Sequence, residues 1–172
     1  HYMIGGVQVG FDGRTSVPRL FACGEAACTG LHGANRLGSN SLLEGLVIGH
    51  HAGDAARRTA ESESREAPHT RFKVRLTAAR TDAIDVADVT DSLRALCWRS
   101  LGIERTRFGL DEVAHMLVFW GRYVMAKEFR DRAGWELQNM LQVASLLTEV
   151  AMMREESRGV HFRTDFPKTN DA

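Results

Sequence analysis

A surplus of one charge is missing from this sequence: 22 Lys and Arg stand against 22 Asp and Glu over 172 residues. The balance excludes a field that would gather nucleic acid, acidic substrates or anionic lipid from a distance, so any anion must be caught locally. Cysteine is scarce and odd in number. Cys23, Cys28 and Cys97, in a chain long enough to build a core, argue against a disulfide framework and for a reduced, cytoplasmic protein. No apolar run approaches the roughly 20 residues that cross a bilayer, and no basic-then-apolar signal segment opens the chain, which points to a soluble protein. No Gly-x-Gly-x-x-Gly follows a predicted strand, so the turn with which dinucleotide folds grip a pyrophosphate is absent. An initiator Met is lacking too: His1-Tyr2-Met3-Ile4-Gly5-Gly6 reads as mid-sequence, as in a piece of something longer.

What is there falls into zones that predict an α+β chain. Residues 1–58 hold most of the glycines. Val7 and Val9 alternate with polar neighbours, Asp12-Gly13 is a turn signal, and Val17 to Ala22 is an apolar run stopped by Gly24, which together predict a β-hairpin with a buried second strand. Small polar residues at Gly38-Ser39-Asn40-Ser41 can cap a helix through Arg57-Arg58, with Leu42, Leu43, Leu46, Val47, Ala52, Ala55 and Ala56 at helical spacing. Residues 59–81 are polar and read as a linker. Residues 82–158 predict a three-helix bundle. Its first helix is capped by Asp85, with Val89, Leu93, Leu96 and Cys97 on one face, and ends at Gly102. The second, Asp111 to about Arg130, turns Val113, Leu117, Trp120 and Val124 inward; the third, Trp135 to about Glu156, turns Leu137, Leu141, Leu147, Val150 and Ala151 inward. Trp98, Trp135 and the Met152-Met153 pair also sit at bundle spacing, which favours core packing. Residues 159–172 form a tail.

The densest chemical signal is the run from Gly24 to Glu44: an apolar segment, a Gly-rich loop, then a helix start near Ser41. Loop glycines admit a ligand to the backbone, and free N–H groups at a helix start favour negative charge, so the order suits an anion or cofactor, although an ordinary connection reads the same way. Arg36, a long cation among small residues, suits a carboxylate clamp or a plain surface role. Glu25 could accept from two ribose hydroxyls or be a solvated acid. His50-His51 point apart on a helix and make a poor metal site, and Cys23 and Cys28 lack the partner pair that zinc needs, so they read as buried thiols and no metal is expected.

Three stretches carry a family resemblance: His1-Tyr2-Met3-Ile4-Gly5-Gly6 with Gly13-Arg14-Thr15-Ser16-Val17-Pro18, the Gly24 to Glu44 run, and the tail from Arg154 to Pro167. Together they resemble the C-terminal part of the fumarate reductase and succinate dehydrogenase flavoprotein family. Thr29-Gly30-Leu31-His32-Gly33-Ala34-Asn35-Arg36 and Ser39-Asn40-Ser41-Leu42-Leu43-Glu44 are most similar to its L-aspartate oxidase branch. The resemblance implies the C-terminal piece of a flavin-binding α/β domain, ahead of the helical bundle. It also implies an FAD-dependent oxidation of L-aspartate to iminoaspartate in de novo NAD biosynthesis. His1 and Arg36 would bind the substrate dicarboxylate, while Glu25, Ser41 and Leu42 would bind FAD. No residue here is an obvious catalytic base. Partners implied are L-aspartate or another C4 dicarboxylate, the family's N-terminal FAD-binding and capping domains, and quinolinate synthase. The chain alone is expected not to retain FAD or turn over. Two other readings stay open: a succinate dehydrogenase or fumarate reductase flavoprotein fragment, and a helical protein-interaction module. Of the tail, His161, Arg158 and Arg163 could fold back toward the flavin side.

Overall fold

The computed structural model describes residues 4–62 and 84–171, in two compact units, His1–Phe72 and Lys73–Ala172. His1 and most of the expected linker lie outside the described residues.

In the first unit β1 (Val7–Gln8) pairs in parallel with β2 (Ala27–Cys28), Val7 opposite Ala27 and Gln8 opposite Cys28. The expected hairpin is therefore corrected. Between the two strands the chain makes only a short reversal, with a single antiparallel bridge between Arg14 and Phe21. Val17 and Leu20 are half exposed rather than buried. Pro18 supplies no ladder N–H, and Arg19 turns into the left-handed region at φ 68°, so the run cannot continue as a strand. Gly13 has a steric reason to be glycine: at φ 73° a Cβ there would lie 2.4 Å from Cβ of Ala52. That close approach seats the reversal on α1 (Ser41–Ser62), which runs four residues beyond the expected end at Arg58. Helix α1 buries Glu44, Ile48, Ala52 and Ala55, a stripe of period 3 to 4, against the short 3-10 turn at Gly24–Ala26 and its flanks. Leu42, Leu43, Leu46 and Val47 lie on its outer side and are exposed.

The second unit holds α2 (Val86–Ser100), α3 (Arg107–Val124) and α4 (Arg132–Met153), which touch one another pairwise. The described residues thus contain four α-helices, of which three belong here. Each of these three begins at a side-chain cap. Asp85 accepts from Asp88 N–H, Thr106 from Gly109 N–H and Asp131 from Gly134 N–H. Thr106 moves the start of α3 four residues ahead of the expected Asp111, and α3 stops at Val124 rather than near Arg130. Leu93, Leu96, Leu110, Val113, Leu117, Trp120, Val124, Leu137, Leu141, Ala144 and Ala151 form the core. Each fully buried leucine among them contributes roughly 1.5–3 kcal/mol. Several expected core residues are not in it: Trp98, Trp135, Val150 and Met153 are more than half exposed, and Leu147 is at the margin.

The tail completes this unit. Strand β4 (Phe162–Arg163) pairs in parallel with β3 (Glu104–Arg105), Glu104 opposite Phe162 and Arg105 opposite Arg163. Arg163 has no exposed surface. Its guanidinium pairs with both oxygens of Asp165 and donates to the Ala151 carbonyl at 2.9 Å, closing the open end of α4. His161 is buried between the Arg105 guanidinium, 2.6 Å from Nδ1, and the Arg154 carbonyl, 3.0 Å from Nε2. Arg158 pairs with Glu156 and Asp171. These three side chains are thus committed to holding their own unit together. Among the described residues no helix is long and apolar enough to cross a membrane.

Candidate functional site

The Gly-rich loop and the start of α1 are brought together by the fold of the first unit. The loop leaves β2 at Thr29 and turns through Gly30 and Gly33, both at positive φ. It reaches α1 through a second turn in which Asn40 N–H donates to the Leu37 carbonyl. The first helical bond of α1 runs from Glu44 N–H to the Asn40 carbonyl at 2.8 Å, so the amides of Ser41, Leu42 and Leu43 stand ahead of the helical ladder. A helix of 22 residues places about half a unit of positive charge at that end. At Gly24, Gly30 and Gly33 a Cβ would meet nothing within 4 Å, so the backbone is open to a ligand there.

The residues singled out in the sequence take distinct positions. Arg36 lies exposed on the loop, and its Nε donates to Ser41 Oγ at 2.6 Å, which ties the cation to the helix start. Ser41 is half-buried and Leu42 exposed, both in the first turn of α1. Glu25 sits exposed in the middle of the 3-10 turn, and its backbone carbonyl accepts from Gly5 N–H at 2.7 Å. Cys23 and Cys28 are exposed, not buried as expected. His51 donates from Nδ1 to the Phe11 carbonyl at 3.2 Å, a structural bond. Among the described residues no cluster of His, Cys, Asp and Glu could hold a metal.

Behind the loop lies a buried polar network that residue-type reasoning passed over. Glu44 accepts a short hydrogen bond from Thr29 Oγ1, and its other oxygen lies 2.8 Å from His32 Nε2. On the far side of the ring, His32 Nδ1 accepts from Leu37 N–H at 3.1 Å. A glutamate early in a helix reads as a solvated dipole partner, and only the presence of Thr29 and His32 in the same motif could have signalled otherwise.

Two family models match the chain. Residues 1–42 match the FAD binding domain, and residues 126–172 match the fumarate reductase flavoprotein C-terminal region. Among curated relatives, the chain is 38% identical over 173 residues to L-aspartate oxidase 1 of Ralstonia nicotianae, covering 98% of the chain and 32% of the relative. It is 37% identical over 193 residues to the fumarate reductase flavoprotein subunit of Mycobacterium tuberculosis, covering 99% and 33%. Among solved structures it superposes on an E. coli quinol fumarate reductase chain with a TM-score of 0.78 at 27% identity, covering 96% of this chain and 32% of that one. The chain spans about a third of the length of these relatives. The cofactor of such proteins is FAD, and the residues in hand fit it: open glycine backbone, exposed apolar side chains at Leu42 and Leu43, and the amides of a helix start suit a ring that gains negative charge on reduction.

Proposed function

Because the chain belongs to the fumarate reductase and succinate dehydrogenase flavoprotein family, we propose that it forms the flavin-edge and dicarboxylate side of an FAD-dependent L-aspartate oxidase. The observation that carries this reading is the bond from Arg36 Nε to Ser41 Oγ, which sets a guanidinium beside the leading amides of α1. A planar guanidinium can grip a carboxylate with two parallel bonds. Ser41 and Leu42, at the helix start, hold the cofactor edge, Glu25 faces its ribose region, and His1 joins Arg36 on the dicarboxylate. FAD, held at these residues, would supply the acceptor for the hydride of the L-aspartate Cα–H. Arg36 orients the substrate so that Cα–H faces the ring, and the amides of α1 favour the negative charge that arrives there. The product is iminoaspartate, on the route to NAD.

Support for the amino acid as substrate comes from relatives called L-aspartate oxidase, such as that of Bacillus subtilis at 40% identity over 171 residues. A second reading, oxidation or reduction of a C4 dicarboxylate without an amino group, is favoured by the 37% identity to fumarate reductase flavoprotein chains. The two separate by substrate. In the full-length flavoprotein carrying this sequence, L-aspartate without oxygen should bleach the yellow flavin absorbance while succinate leaves it unchanged. Bleaching by succinate alone would assign the chain to the second reading.

A further inference from the structure

Glu44 is a carboxylate only 6% exposed, and neither the clamp nor the cofactor contacts described above make use of it. Its oxygens reach two separate points of the loop, Thr29 Oγ1 and His32 Nε2. The ring of His32 has little freedom. Because Nδ1 accepts from Leu37 N–H, the neutral ring must carry its proton on Nε2 and donate it to Glu44. Leu37 directly follows Arg36, and Arg36 Nε donates to Ser41 Oγ, one helical turn ahead of Glu44 on the same helix. The connections close into a ring: Glu44 to His32, His32 to the Leu37 amide, along the backbone to Arg36, Arg36 to Ser41, and through α1 back to Glu44.

From this ring we infer that Glu44 and His32 are positioning residues, which fix the orientation of the Arg36 guanidinium toward a dicarboxylate. The inference rests on the reading of Arg36 as the clamp. The guanidinium is carried by a Gly-rich loop whose ordering would count against binding; a loop pinned at Thr29, His32 and Leu37 has met that cost in the free protein. Burial strengthens the pins, since a carboxylate withdrawn from water keeps its donors tightly.

Substitutions can separate charge from connection. In Glu44→Gln the amide oxygen can accept from His32 Nε2 while the amide nitrogen donates to Thr29 Oγ1, so the ring survives. Glu44→Ala opens it. His32→Asn keeps an acceptor for Leu37 N–H but cuts the link to Glu44, and it carries the same test should Glu44→Ala fail to fold. Succinate binding to the full-length flavoprotein is measured by isothermal titration calorimetry. Opening the ring should weaken binding about tenfold, with Glu44→Gln within about threefold of the native protein. In an Arg36→Ala background, Glu44→Ala should cause no further loss, because the two changes remove one interaction. In the 172-residue chain itself, the Arg36 Nε–H nuclear resonance should be protected from water exchange in the native and Glu44→Gln forms and lost in Glu44→Ala. Equal weakening with and without Arg36, or an unchanged succinate affinity in Glu44→Ala, would overturn the inference while leaving the clamp in place. A native flavoprotein that binds no dicarboxylate would overturn both.

Discussion

Arg163 and Asp165 form a bidentate ion pair across two positions of the tail, Nε to Oδ1 at 2.8 Å and Nη2 to Oδ2 at 2.7 Å, with the guanidinium wholly withdrawn from solvent. The same guanidinium closes the last turn of α4 through the Ala151 carbonyl and stacks over the Phe166 ring at 4.9 Å. Removing it takes the fork from Asp165, which keeps the Arg107 N–H, and a donor from a helix carbonyl. Arg163→Met, which keeps the volume, should therefore destabilise the helical unit by roughly 3 kcal/mol in urea unfolding followed by circular dichroism. Arg163→Lys should recover only part of this, because an ammonium cannot match the fork. A midpoint within experimental scatter of the native one would refute the role.

Acid should loosen the same unit in two stages. Burial, with the Arg105, Arg154 and Arg163 guanidinium groups nearby, pushes the His161 imidazole below its ordinary value of 6.5. The fold therefore binds fewer protons than the unfolded chain, and the stability from His161, complete above about pH 6.5, falls as the pH drops through that value. Lower down, Asp165 is held at about 2 by the Arg163 fork, and Glu156 at about 2 by Asn170 N–H and the Arg154 and Arg158 side chains. Their contribution is present above the ordinary carboxylate values of 3.8 and 4.5 and is lost toward pH 2. Urea midpoints at pH 8 and pH 5.5 should differ in the native chain and move together in His161→Gln. An unchanged difference in the variant would assign the first stage to other groups.

At Gly134 two effects of opposite sign can be weighed. Alanine in a helix is worth about 1 kcal/mol more than glycine. A Cβ on Gly134, however, would lie 2.2 Å from Cγ and Cδ1 of Phe129, at the rigid root of the ring rather than at a movable tip. Overpacking of this kind costs about 1–3 kcal/mol, so the clash should win and Gly134→Ala should lower the melting temperature. Adding Phe129→Ala should remove the clash and recover part of the loss. A melting temperature raised by Gly134→Ala alone would show that the ring can move aside.

The contrast between elements shows what a sequence can carry. The start of α2 was legible because Asp85 marks a cap by its own chemistry, and the inward faces around Leu93 and Val113 were legible from spacing. Trp98 was misplaced for a definite reason: it is one residue from half-buried Cys97, and a single step of 100° round a helix takes a side chain from the seam to the solvent. The hairpin failed because Val7 finds its partner at Ala27, twenty positions on, through a parallel pairing that alternation does not encode. At the site, loop and helix start were legible from glycines and small polar residues. The network of Thr29, His32 and Glu44 was not, since polarity alone suggests the surface, and burial depends on which loop folds over it.

The chain by itself should not sustain the chemistry proposed for it. It covers about a third of its relatives' length, and its sequence contains no glycine-rich turn of the kind that grips a dinucleotide pyrophosphate. Leu42, Leu43, Leu46 and Val47 stand exposed in a row at the start of α1, an apolar strip that a flavin ring and its surrounding protein would cover. A helix start and a guanidinium can steer charge, but they hold one edge of a large cofactor, and binding energy from one edge does not order the rest. Mixed with FAD and L-aspartate, the 172-residue chain should therefore give no sustained peroxide, and added FAD should remain in the filtrate after ultrafiltration. Retention of yellow colour together with continuous peroxide release would mean that this portion alone encloses the cofactor, and the division of labour argued from α1 would have to be abandoned.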